Sequence, residues 1–174
     1  RTTLEWNADA DVKAVLNDFY SKWFGPAAKP MHDYYDTLEN AFDSTNVHGH
    51  EDPILQMIYT PKVMARLQKD IALAEKSVVT DTEKLHVRAE RLVYSHMQCY
   101  ADSLVAKREY RFADAKALME KMIALRAELH TITQFYGWRP YPVYEENWEV
   151  NRMKNVAARV DGTVGTLFAP LPDT

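Results

Sequence analysis

This 174-residue chain has a single cysteine, only five glycines, and no apolar run long enough to cross a bilayer. Cys99 alone forms no internal disulfide, and it lacks the neighbours of a zinc motif. Scarce glycine argues against a β-rich protein or a glycine-rich phosphate loop, and no such loop follows a strand-like segment. A Gly-x-Ser-x-Gly nucleophile elbow is absent, as is a charged-then-apolar leader. The formal net charge of −4 gives no basis for nucleic acid or an anionic membrane as partner. No internal repeat or low-complexity tract occurs. What remains, with hydrophobic residues at 47% and charged residues at 26%, suits a folded domain with a sizeable core and a solvated surface.

The apolar residues recur at helical spacing. Leu118, Met122, Leu125, Leu129, Ile132 and Tyr136 alternate steps of four and three, which keeps them on one stripe of a helix spanning residues 113–136. At 1.5 Å per residue such a helix runs roughly 36 Å and requires long partners. Earlier in the chain, Asn7 or Asp9 can cap a first helix whose stripe is Val12, Val15, Leu16, Phe19 and Trp23. Gly25-Pro26 stops it, and proline can also open the helix carrying Tyr34, Leu38, Ala41 and Phe42. Two antiparallel helices joined at Gly25-Pro26 follow. Residues 43–52 read as a loop, and residues 54–59 as a short buried helix or turn. Thr60-Pro61 starts a helix with the stripe Val63, Met64, Leu67, Ile71, Ala74 and Val78.

Thr80 or Asp81 caps the next helix, over about residues 83–109, which carries apolar residues on more than one face. It is expected in the middle of a bundle, with His96, Gln98 and Tyr100 requiring partners if buried. Beyond Gly137 an aromatic, proline-bearing strap over residues 138–144 precedes a last short helix near residues 148–160. From Asp161 the glycines, prolines and short apolar pairs predict strands and turns. The fold class is therefore all-α, a bundle of five or more helices over residues 1–160. A linker and strand-forming tail over residues 161–174 begin a truncated β-module.

Polar chemistry concentrates in His48-Gly49-His50-Glu51-Asp52. Two imidazoles beside two carboxylates can line a substrate site, and His48, His50, Glu51 and Asp52 are the candidate substrate-binding residues. Their spacing matches no metal motif, so no metal and no cofactor is assigned. Glu145, Glu146 and Glu149 are neighbours in sequence that cannot be assumed to straddle one glycosidic bond. Trp138, Tyr141, Tyr144 and Trp148 read as packing before they read as a sugar-stacking platform. No catalytic residue is assigned.

The opening Leu4-Glu5-Trp6-Asn7-Ala8-Asp9-Ala10-Asp11-Val12, followed by Phe19-Tyr20 and by Trp23-Phe24-Gly25-Pro26-Ala27-Ala28-Lys29-Pro30-Met31 with Tyr34-Tyr35, resembles a particular helical region. That region follows the catalytic barrel in large glycoside-hydrolase-like proteins carrying an uncharacterised α-glucuronidase-like domain. Leu167-Phe168-Ala169-Pro170-Leu171-Pro172 is similar to the entry of the β-sandwich module that often comes next. The resemblance covers most of the chain, and its distinctive part is the Phe-Gly-Pro-Ala-Ala-x-Pro-Met block. It implies an excised, non-catalytic accessory domain, in keeping with a start at Arg1 rather than Met. The implied partners are the barrel and sandwich of the same parent chain, carbohydrate at the cleft, and a homodimer contact. The resemblance also implies a secreted or periplasmic parent. Two other readings of the residues stand beside it: a free-standing helical ligand-binding or sensor domain, and a small metal-dependent enzyme using the His48–His50 loop.

Overall fold

A computed structural model describes residues 9–46 and 51–133, with side chains described for all of these except residues 51–53. They are helical almost throughout. In order come α1 (Val12–Phe24), a 3-10 turn (Gly25–Ala27), α2 (Ala28–Asp43), α3 (Glu51–Ile58), α4 (Pro61–Ser77), α5 (Asp81–Arg108) and α6 (Phe112–Ile132). Among these residues no helix is long and apolar enough to cross a membrane. The expected strap, last helix and strand-forming tail lie outside the described residues.

The chain divides into two compact units, one within Arg1–His48 and Pro61–Glu90, the other within Gly49–Thr60 and Arg91–Thr174. In the first unit α2 packs along α4. Met31 and Tyr34 face inward from α2, and Met64, Leu67, Ile71 and Ala74 from α4, with Phe24, Ala27 and Val87 completing the core. The α4 residues step by three and four, as the sequence predicts, and Pro61 is the helix's first residue.

Local chemistry sets the junctions. Asp11, rather than Asn7 or Asp9, caps α1: its Oδ1 accepts the N–H groups of Lys13 at 2.9 Å and Ala14 at 3.3 Å. The helix ends where Gly25 adopts φ +53° and donates its N–H to the Ser21 carbonyl. A Cβ at Gly25 would collide with the Glu83 carboxylate, so both backbone and space demand glycine there. Glu83 is pinned by a capping box. Its Oε2 accepts from Val79 N–H and Thr80 N–H at 3.0 Å each, while its own N–H reaches Thr80 Oγ1 at 3.2 Å. Those backbone donors hold the Glu83 carboxyl below the usual carboxylate range.

The described part of the second unit comprises α3, the later part of α5 and α6. Cys99 of α5 packs with Met119 and Met122 of α6, flanked by Tyr100, Leu118, Ile123 and Leu125. The buried line on α6 runs through Ala115, Met119, Met122 and Leu129. Two members of the expected stripe, Met122 and Leu129, are thus buried, while Leu118, Leu125 and Ile132 are half-buried and Ala115 and Met119 from the adjoining row turn inward in their place. Apolar residues on α6 are spread over two adjacent rows, and only the partner helix selects between them. The helix also stops at Ile132, short of residue 136, with Thr133 extended; Thr131, Ile132 and Thr133 are a β-branched run that disfavours continuation. As expected, α5 buries more than one face, with Val87, Glu90, Tyr94 and Met97 along one line and Cys99, Ser103 and Ala106 along another.

Candidate functional site

Of the residues predicted to line a site, His48 and His50 lie outside the described residues. Glu51 and Asp52 are the first two residues of α3. The described residues instead assemble a polar and aromatic group at the α1–α2 corner, within the first unit.

Tyr20, one of the two buried residues of α1, stands at its centre. Its ring lies 4.9 Å from that of His32 and 6.0 Å from that of Tyr35. His32 Nδ1 sits 3.0 Å from Asp36 Oδ2, one helical turn on. On the other side Tyr35 hydrogen-bonds to Glu90 of α5, a carboxyl buried to 8% exposure. Burial pushes the Glu90 carboxyl above its ordinary range, and the Tyr35 hydroxyl offsets this only in part. The Tyr20 phenol is likewise raised, first by burial and then by the charges of Asp36, Glu39 and Glu90.

His32, Asp33 and Asp36 could each offer one ligand atom to a cation, with these atoms within 4.8 Å of one another. Their chemistry is already engaged, however. Both Asp33 oxygens receive Lys29 Nζ, at 2.9 and 2.8 Å, and the Arg66 guanidinium approaches at 3.7 Å. Arg66 also donates its Nε to Asp70 at 2.6 Å, so Lys29–Asp33–Arg66–Asp70 forms a ladder tying α2 to α4. A cation would have to displace two basic side chains. The ladder reads as structural.

Nearby, Trp23 stacks on His86 at 3.7 Å and 5°, and Phe19 stacks on Trp23 at 5.9 Å. His86 Nδ1 lies 2.7 Å from the Trp23 carbonyl, one of the last acceptors of α1, so the imidazole clasps that helix end. Along the rest of α1 the apolar stripe faces outward: Val12 is 50% exposed, Leu16 43%, Phe19 45% and Trp23 45%.

In the second unit His96 is held neutral. Burial, with the Arg126 charge adding to it, lowers its pKa from 6.5 to about 4, and its Nε2 is buried without a hydrogen-bond partner. Gln98 is satisfied, accepting from Tyr94 Oη at 2.9 Å and donating to Asp102 at 2.8 Å.

Sequence reasoning passed over the Tyr20–Tyr35–Glu90 group because its members come from three helices. The legible signal was a carboxylate, Glu90, in register with buried Val87, Tyr94 and Met97. No family model, no curated protein and no solved structure matches this chain.

Proposed function

We propose that the chain is a non-catalytic helical accessory domain of a multi-domain, glycoside-hydrolase-like enzyme, buttressing its catalytic barrel and lining part of the sugar cleft. The observation that carries this reading is the outward apolar stripe of α1. Four large side chains in helical register, set off from a well-packed core, mark a face that another folded body covers. The resemblance supports it from the other side. The distinctive block from Phe24 to Met31 is taken up with packing, Phe24, Ala27 and Met31 being essentially buried. Its effect is to hold α1 at a defined corner beside α2. Nothing in the Tyr20–His32–Glu90 group requires a substrate: each member has a structural partner.

On this reading the acid and base of hydrolysis belong to the barrel, and His48, His50, Glu51 and Asp52 are the residues this chain offers to sugar. Purified chain offered a panel of glycans and aryl glycosides is expected to release no product; turnover would overturn the proposal. Replacing His48 and His50 by Ala in the parent enzyme is expected to raise KM for glycan. Unchanged affinity and turnover would remove those residues from the cleft.

A further inference from the structure

We propose that His96 of α5 and Arg126 of α6 form a binding site for a small carboxylate at the seam between these two helices, with His130 as its wall. The site lies within the second unit and stands whether or not the chain braces a barrel. Its place follows from packing. Ala106 packs with Ala115, and Cys99 with Met119 and Met122, so α5 and α6 run antiparallel. One further turn sets His96, three residues before Cys99, across from Arg126, four residues after Met122. Both occupy positions that the apolar period gives to core. His96 lies between buried Leu92 and Cys99 along α5, and Arg126 between buried Met122 and Leu129 along α6.

The chemistry gathered there is that of donors around one positive charge. His96 Nε2 is buried without a hydrogen-bond partner, and a neutral imidazole carries one N–H to give. His130, four residues on from Arg126, shares its face of α6 and is itself buried. The Arg126 charge bears on both rings, so it lies near each of them and, with burial, keeps both neutral. The guanidinium is then the single charge of the group. A carboxylate answers this set: it brings one negative charge for one positive, and two oxygens that the planar fork grips in parallel. One of those oxygens also accepts from His96 Nε2–H. With five N–H groups, Arg126 keeps its present contacts and still holds an anion. Asp102 and Glu128 are exposed, and Asp102 accepts from Gln98 at 2.8 Å, so neither answers the Arg126 charge from within the seam. A phosphate dianion would bring a second negative charge for which the group holds no second cation. His96 and Arg126 are half-buried, which lets a small anion reach them from solvent.

Titration of the whole chain with sodium acetate at neutral pH, against sodium chloride of equal ionic strength, tests the site through the imidazole resonances. The expected result is a saturable shift of the His96 signals, with a midpoint on the order of millimolar, while those of His32 and His86 in the first unit stay fixed. Inorganic phosphate at the same ionic strength should bind at least about tenfold more weakly. Arg126→Gln should weaken acetate binding by at least about tenfold, and Arg126→Lys should restore only part of it, because an ammonium keeps the charge and loses the fork. His96→Phe removes the donor and the orphaned atom together, so acetate binding should fall while Tm holds or rises. Acetate that moves no His96 signal, phosphate that binds as tightly as acetate, or acetate binding undiminished by Arg126→Gln overturns the inference. Should a variant fail to fold, the wild-type acetate and phosphate titrations decide by themselves.

Discussion

At the scale of single residues, two positions take the left-handed backbone, and the chain treats them oppositely. Gly25 satisfies both its φ of +53° and the Glu83 carboxylate beside it. Gly25→Ala is expected to cost about 1–2 kcal/mol from backbone alone, and more from displacing Glu83. A fall in the urea midpoint of unfolding measures it. Tyr110, at φ 58°, ends α5 in a Schellman turn: Arg111 N–H reaches the Ala106 carbonyl at 2.8 Å, and Tyr110 N–H the Lys107 carbonyl at 3.2 Å. Its ring is 78% exposed and buries little. Tyr110→Gly should therefore raise stability by about 1 kcal/mol, read as a higher Tm. The Gly25 stop was legible because Gly-Pro announces itself. The left-handed backbone of Tyr110 was not, since a tyrosine carries no turn signal, although the sequence does place the break between the two helices at that point.

Among elements, α2 packs along α4, with Met31 and Tyr34 of the one and Met64, Leu67 and Ile71 of the other buried. Met31→Ala, at a fully buried position against α4, should lower stability by about 2–5 kcal/mol in chemical denaturation. The α4 stripe was readable because its apolar residues form one row with charged residues on the other sides. On α6 two rows compete, and contact with Cys99 of α5 decides that Met119 and Met122 face in. Met122→Asp should accordingly disrupt folding more than Leu125→Asp, compared by Tm and by soluble yield. Equal losses would mean that the half-buried row matters as much as the buried one. For α1 the pattern showed a stripe but not its direction. Tyr20 and Phe24, one residue beyond Phe19 and Trp23, are the side chains that turn inward.

Over the whole molecule, two buried titrating groups bound the stable pH range from opposite sides. His96 has its folded pKa lowered to about 4 against an unfolded value near 6.5. Unfolded chains therefore bind the extra proton between those values, and stability falls as pH drops through that window, by up to about 3 kcal/mol. His96→Gln should flatten the acid limb of Tm against pH. Glu90 has its folded pKa raised, so the unfolded carboxyl ionises first. Stability is lost as pH rises from the unfolded value toward the folded one, and Glu90→Gln should raise Tm at neutral pH. A profile unaltered by either substitution would show that neither group is buried as described.

The amino-acid sequence on its own determined that the described residues are helical, that Pro61 opens α4, and that Gly25-Pro26 breaks α1 from α2. These are properties of neighbours along the chain, set by backbone sterics, capping and apolar period. Only tertiary structure decided which of two apolar rows on α6 is core and that Glu90 is buried beside Tyr35. It alone decided that the row of α1 with the larger apolar surface points away from its own core. Burial depends on what lies across from a residue, and side chains that meet in space come from helices whose order in the chain does not state their pairing.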